Sequence, residues 1–178
     1  MTALATTDPF DAAVAFTFNE EGGLFDDPEV GITNLGIILA DLKRVEGSTA
    51  TADDVRALTR ATATPIYRTL YWVPVNGGRL PLGVGLSVFD HAVNRGIRTS
   101  ARILQRIVGA TPDGWIGPKT LTAITVFCYH GAPAILDLLW AAQTADYKAL
   151  GNATFERGWL NRCDARLAAA KVALSWRL

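Results

Sequence analysis

The stretch Asp8-Pro9-Phe10-Asp11-Ala12-Ala13-Val14-Ala15-Phe16-Thr17-Phe18-Asn19-Glu20-Glu21-Gly22-Gly23 has both ends of a helix written into it. Asp8 is an acid at the capping position, Pro9 sits where a missing N–H costs nothing, and Asp11 places a negative charge in the first turn. The helix is expected to run to about Glu21, where Gly22-Gly23 supply the backbone freedom to stop it. Residues 22–33 then read as irregular or hairpin-like. Outward from this segment the pattern stays helical, with helices expected over 34–44, 52–58, 61–71, 82–95, 99–108, 118–128, 132–150 and 153–174. Thr51 to Asp54 offers a cap before Val55, and Gly117-Pro118 starts a helix after the Asp113-Gly114 turn. No run of strands with alternating polarity is present. The fold class is mostly α, with at most a small β-hairpin near residues 23–33.

Composition narrows the function classes. At 178 residues, 49% hydrophobic and 19% charged, the chain can bury a core and fits one domain. Its 17 basic and 17 acidic residues balance, so no global field favours nucleic acid or an anionic membrane. The segment Ala132 to Ala142 is short and broken by Asp137, so insertion into a bilayer is not expected. Cys128 and Cys163 could pair, but small buried apolar residues are the commoner reading. His91 and His130 lack any cysteine or acid at metal-ligand spacing, so neither a metal nor another cofactor is expected.

The paired acids at the end of the opening helix carry the chemistry. Advancing about 100° per residue from Phe10, Val14 falls near 40°, Thr17 near 340°, Phe18 near 80° and Glu21 near 20°, in the middle of the apolar stripe. Glu20 falls at about 280°, on its margin. Partial burial disfavours the charged form of Glu21, and so does the partial negative charge of a helix C-terminus. A carboxylic acid that keeps its proton is what glycoside cleavage requires, because the leaving oxygen must receive one. The plainer reading is a helix-end glutamate bonded to neighbouring amides or to an arginine.

Several segments in order resemble one family. Glu21-Gly22-Gly23, then Asp27-Pro28, then Thr33-Asn34-Leu35-Gly36-Ile37 resemble the opening motif of glycoside hydrolase family 108, lysozyme-like N-acetylmuramidases also catalogued as secretion-activator proteins. The likeness continues through Ile66-Tyr67-Arg68, Tyr71-Trp72, Phe89 to Gly96, Ala101 to Gln105, Asp113 to Leu121 and Gly158 to Arg162, about residues 10 to 165 in all. Its second half is similar to a predicted peptidoglycan-binding domain. The resemblance implies a lysozyme-like fold with Glu21 as the catalytic acid. It also implies a second carboxylate from an Asp-Pro-Gly-Gly stretch, and here the chain departs. Asp27-Pro28 is followed only by Glu29-Val30-Gly31-Ile32, and Val30 stands where that aspartate would be counted. Glu29 is the nearest replacement, with Asp26 and Asp27 in reserve. A water held by Thr33 could also finish the reaction, and attack by the substrate's own hydroxyl would make the chain a lytic transglycosylase.

Other residues admit two readings each. Tyr67, Tyr71 and Trp72 crowd one helix end, where sugar rings could stack, although core packing explains such clusters more often. Arg68 could serve the cleft or pair with an acid, and Asn34 is a candidate substrate contact beside Thr33. Asp90 and Asn94 lie four apart on one helical face beside Leu86, Phe89 and Val93, so both are expected to be buried polar groups bonded to the first-helix region, with substrate contact by Asn94 as the alternative. Trp159 and Arg162 read as structural.

Together these readings describe a single compact domain over 1–178, with a catalytic lobe over 8–75 and a helical lobe over 80–174. The expected activity is cleavage of the β-1,4 bond between N-acetylmuramic acid and N-acetylglucosamine. A wall-binding protein without catalysis and a secretion helper are the rivals. The expected partner is bacterial peptidoglycan, met as a monomer. The first eight residues lack a basic stretch followed by an apolar run, so cytoplasmic accumulation is expected. Release would then go through a holin or an export system, as for a phage or prophage endolysin.

Overall fold

The computed structural model describes residues 8–27, 31–129 and 132–175. The order is α1 (Pro9–Glu20), β1 (Phe25–Asp27), β2 (Gly31–Asn34), β3 (Ile37–Ile38), α2 (Leu39–Glu46), α3 (Ala52–Arg56), α4 (Arg60–Tyr67), α5 (Leu82–Arg95), α6 (Ile97–Ile107), α7 (Pro118–Tyr129), α8 (Ala132–Lys148) and α9 (Ala153–Ser175). The fold is mostly α, with one small sheet, as the sequence indicates. No helix among the described residues is long and apolar enough to cross a membrane.

Helix α1 starts as its sequence dictates: Phe10 N–H donates to Asp8 Oδ1 at 2.9 Å. Its inward face is Phe10, Ala13, Val14, Thr17 and Phe18. The helix ends one residue short of Glu21, whose backbone is already extended at φ −82°, ψ 145°. The glycines do not end it by left-handed geometry, since neither Gly22 nor Gly23 has a positive φ.

The sheet is antiparallel in the order β1-β2-β3 and reaches beyond the expected hairpin. Phe25 pairs with Thr33 and Asn34 pairs with Ile37. A helix was expected from residue 34, but Leu35 at φ +50° and Gly36 at φ +73° form a two-residue turn that fits the strand twist. Helix α2 begins only at Leu39. Asn34 fastens the sheet to α3: its Nδ2 donates to the carbonyls of Val55, Arg56 and Leu58, each at 3.1 Å. They lie at and just beyond the C-terminal end of α3, where carbonyls run short of intrahelical donors, and Val55 O also accepts from Leu58 N–H at 3.2 Å. The expected helix over 61–71 divides into α4 and a wider π-type turn over Arg68–Trp72, closed by Val73 N–H donating to Arg68 O at 2.9 Å.

Helix α5 runs through the middle of the core. Phe10, Trp72 and Phe89 pack edge-on or tilted, with ring centroids 5.4 to 5.6 Å apart. Gly83 sets how closely α9 crosses α5, because a Cβ there would stand 2.3 Å from the Ala170 carbonyl oxygen. From that crossing the helices run antiparallel, which brings Asp90 of α5 opposite Arg166 and Arg162 of α9. Cys163 is buried, Cys128 is half-buried, and both thiols are free.

Candidate active site

The extended backbone at Glu21 turns its side chain off the end of α1. There it is 17% exposed, while Glu20 faces solvent. Three elements surround the Glu21 carboxylate. From α9, Arg162 Nη2 donates to Oε1 at 2.8 Å. From the β2–β3 turn, Gly36 approaches so closely that a Cβ on it would lie 2.8 Å from Oε2 and 2.6 Å from the Tyr67 hydroxyl oxygen. From α4, that hydroxyl donates to Leu35 O at 2.7 Å, which ties the turn to the helix. Gly22 and Gly23, just beyond, have nothing within 4 Å of where their side chains would be. The Glu21 side chain is walled by Arg162, Gly36 and Tyr67 and keeps 17% of its exposure.

Behind Arg162 lies a buried polar chain. Asp90, 0% exposed, accepts from Arg162 Nη2 at 2.6 Å and Nε at 3.1 Å, from Arg166 Nη1 at 2.8 Å and from Thr17 Oγ1 at 2.9 Å. Arg166 Nε donates to Gln143 Oε1 at 3.1 Å, and Gln143 Nε2 donates to Ser87 O at 3.2 Å. Burial pushes the Asp90 carboxyl up, but the two guanidiniums overcome it and hold it below the usual carboxylate range. Burial likewise opposes the charge on Arg162, and Asp90 and Glu21 together raise its affinity for the proton. Burial pushes the Tyr67 phenol far up, and the charge of Glu21 adds to it. Two acids and two guanidiniums thus form a neutral cluster with every charge paired, the condition under which buried charges are tolerated.

The expected site residues divide. Glu21 and Tyr67 meet at the site. Tyr67 is 1% exposed and Trp72 4%, so both serve the core rather than a sugar platform. Tyr71 is half-buried against Tyr67 at 5.7 Å between centroids. Arg68 pairs with Asp8 at 2.6 Å and lies 4.2 Å over the Phe10 ring, which makes it a fastener of α1. Asn34 spends its amide on α3, as described above. Asp90 is buried as expected. Asn94 is exposed, because it lies in the last turn of α5, where the chain leaves the core before Gly96. Thr33 is half-buried on β2, and Asp26 is held by Arg56 at 2.7 Å. Glu29 lies outside the described residues. The niche around Glu21 is more polar than the helical wheel implied, since a guanidinium forms one wall.

Arg162, expected to be structural, also reaches Glu21, and Arg166 beside it on α9 was not singled out from the sequence. A signal existed: Asp90 is a lone acid in an apolar helix and needs cationic partners, and α9 carries two arginines four apart.

The model of the glycosyl hydrolase 108 family matches residues 14–96, and a model described as a predicted peptidoglycan domain matches residues 99–164. The solved structure of Brucella abortus SagA is similar, with 38% identity, 93% of this chain and 95% of that one covered, and a TM-score of 0.81. The chain belongs to the glycosyl hydrolase 108 family. No curated protein matches it. Family membership makes the protein a glycoside hydrolase, and the second match makes peptidoglycan its partner. In this glycosyl hydrolase 108 member the first match contains Glu21, the β2–β3 turn and Asp90, and the second contributes Arg162. The site therefore needs both regions.

Proposed function

We propose that the protein is an N-acetylmuramidase that cuts the β-1,4 bond between N-acetylmuramic acid and N-acetylglucosamine, with Glu21 protonating the glycosidic oxygen. The observation that carries this reading is a half-buried carboxylate, fixed by Arg162 on one oxygen, that keeps 17% of its exposure beside two uncrowded glycines. Arg162 shares its charge with Asp90, at two contacts against one, so it orients Glu21 without belonging to it alone. The bond to the leaving oxygen breaks as the proton arrives, and the cationic sugar is trapped by water. Glu29, or a water on Thr33, supplies the second function. Residues 8–75 act as the cutting lobe and residues 80–174 as the wall-holding lobe.

Glu21→Gln tests the assignment. The variant keeps the hydrogen bond from Arg162 and loses the proton, so release of muropeptides from purified sacculi is expected to fall by about 10²–10⁴-fold. Retained release at a tenth of the wild-type rate or more would remove Glu21 from the mechanism. Mass spectrometry of the same digest reads the chemistry: reducing muramic ends mark hydrolysis, and anhydro ends mark transglycosylation.

A further inference from the structure

A second polar feature lies away from Glu21, on α6. Arg98, Arg102 and Arg106 recur every four residues and so form one stripe of like charge along the helix. Like charges at this spacing destabilise a helix, so an unneutralised stripe calls for a reason. Most other arginines among the described residues are spoken for. Arg44, Arg56, Arg68, Arg95, Arg162 and Arg166 each hold a carboxylate. Among the described residues Arg98 and Arg106 make no ion pair, and Arg102 acts only at a distance, on Asp113.

The stripe borders a built cleft. A space of about 450 Å³ opens between α6 and α8, with Arg102 and Arg106 on one wall and Ile103, Ile107, Ala142 and Ala145 giving it an apolar floor. The only acid lining it is Asp146, whose carboxylate accepts from Arg95 Nε at 2.6 Å and Nη2 at 3.4 Å. The negative charge there is paired with Arg95, and among the described residues neither guanidinium of the cleft is held in an ion pair. The arginine stems are also held. The turn at Gly114, φ +84°, comes so close that a Cβ on it would touch Arg98 at 3.3 Å and Arg102 Nε at 3.4 Å. Buried Gln105 fixes that turn, accepting from Gly114 N–H at 2.9 Å and donating to Asp113 Oδ1 at 2.7 Å and Trp115 O at 3.0 Å.

We propose that the α6–α8 cleft binds the free carboxylates of the peptidoglycan stem peptide. This inference rests on peptidoglycan being the partner, and Arg102, Arg106 and Asp146 all lie inside the region matched by the peptidoglycan model. The stem peptide combines small apolar side chains, which suit a floor of alanine and isoleucine, with carboxylates, which suit the planar donor fork of arginine. The glycan carries the scissile bond to Glu21, and the peptide is held by a different face of the same chain. The cleft then selects wall whose peptides retain free acids over wall whose acids are amidated.

The test uses the full chain and two soluble probes, a stem tetrapeptide with free carboxylates and the same peptide fully amidated. Calorimetric titration is expected to show the free form binding about tenfold or more tighter, and Arg102→Gln/Arg106→Gln is expected to abolish that difference. On sacculi the double variant raises KM with kcat unchanged, while cleavage of peptide-free glycan stays at the wild-type rate. Equal binding of the two peptides overturns the proposal, and so does unchanged binding by the double variant. Equal affinity for a short DNA oligonucleotide or inorganic phosphate also overturns it, by making the stripe a general anion patch. Titration needs no cleavage. A protein that binds the peptide but cuts nothing would sink the muramidase reading alone, and one that cuts wall without peptide preference would sink this one alone.

Discussion

Glu21 and Asp90 are two carboxylates on the same guanidinium, and they live differently. Asp90 sits where α5 and α9 cross, has no exposure, and accepts from two arginines and Thr17. Glu21 sits on the rim, where α1 gives out, with one arginine contact and an open side. The buried acid has all its bonds made and no access to a substrate. The rim acid keeps 17% of its side-chain exposure and, among the described residues, accepts from one arginine. Arg162 connects them, so the interior acid sets the position of the rim acid. Among the described residues the two acids differ in the bonds they make as well as in depth.

The sharpest way to break this comparison is to remove the charge on Asp90. Asp90→Asn leaves Arg162 and Arg166 facing each other in the interior, and the unfolding free energy is expected to fall by about 3–5 kcal/mol. Denaturant titration measures it. Glu21→Gln, on the rim, is expected to lower stability by less than about 1 kcal/mol while stopping cleavage. If the two variants lost equal stability, the division into structural and working acid would fail.

Gly36 probes the rim from the other side. Its φ of +73° disfavours any side chain, and a Cβ there would press on both the Glu21 carboxylate and the Tyr67 hydroxyl. Gly36→Ala is expected to cost about 1–3 kcal/mol in strain and to lower turnover on sacculi as the carboxylate is displaced. Turnover equal to wild type would mean that the turn does not position Glu21.

Acid separates the same two regions more gently. Asp90 is held below the usual carboxylate range when folded, whereas an unfolded aspartate titrates at about 3.9. Its contribution to stability is therefore complete above that value and is lost as pH falls toward the folded one. Wild-type stability is expected to drop as pH goes from about 4.5 to 2.5, and Asp90→Asn to drop less steeply over that interval. Parallel slopes in the two proteins would remove Asp90 as a source of acid sensitivity.

How far the sequence could carry this reading follows from the range of each signal. The opening helix was legible because a cap, a proline and an apolar stripe are local features. Glu21 was preferred over Glu20 by the same short-range periodicity, even though the helix stops one residue before it. The β2–β3 turn was not legible, because Leu35 is an ordinary residue held in a left-handed conformation by tertiary packing. Arg162 reads as structural from the sequence, and its bond to Glu21 was not legible because the two lie 141 residues apart, even though the lone acid Asp90 called for a cation from elsewhere. The misreading of Asn34 as a substrate contact has that cause too, since its acceptors lie in and just after α3, more than 20 residues on.

Asn94 gives the smallest expected effect and the cleanest control. Helical spacing alone places Asn94 on the face of Asp90, and spacing fixes a face only while the helix remains packed. Asn94 lies two residues before Gly96, whose φ of +86° redirects the chain into α6, and the last turn of α5 has by then left the core. An exposed amide without a buried partner contributes little, so Asn94→Ala is expected to change stability by less than about 0.5 kcal/mol. Cleavage of sacculi by this variant should stay within twofold of wild type. A larger loss in KM with unchanged stability would place substrate on the exposed end of α5. The wall polymer would then have to reach from Glu21 past the Arg162–Asp90 pair and along the exposed end of α5.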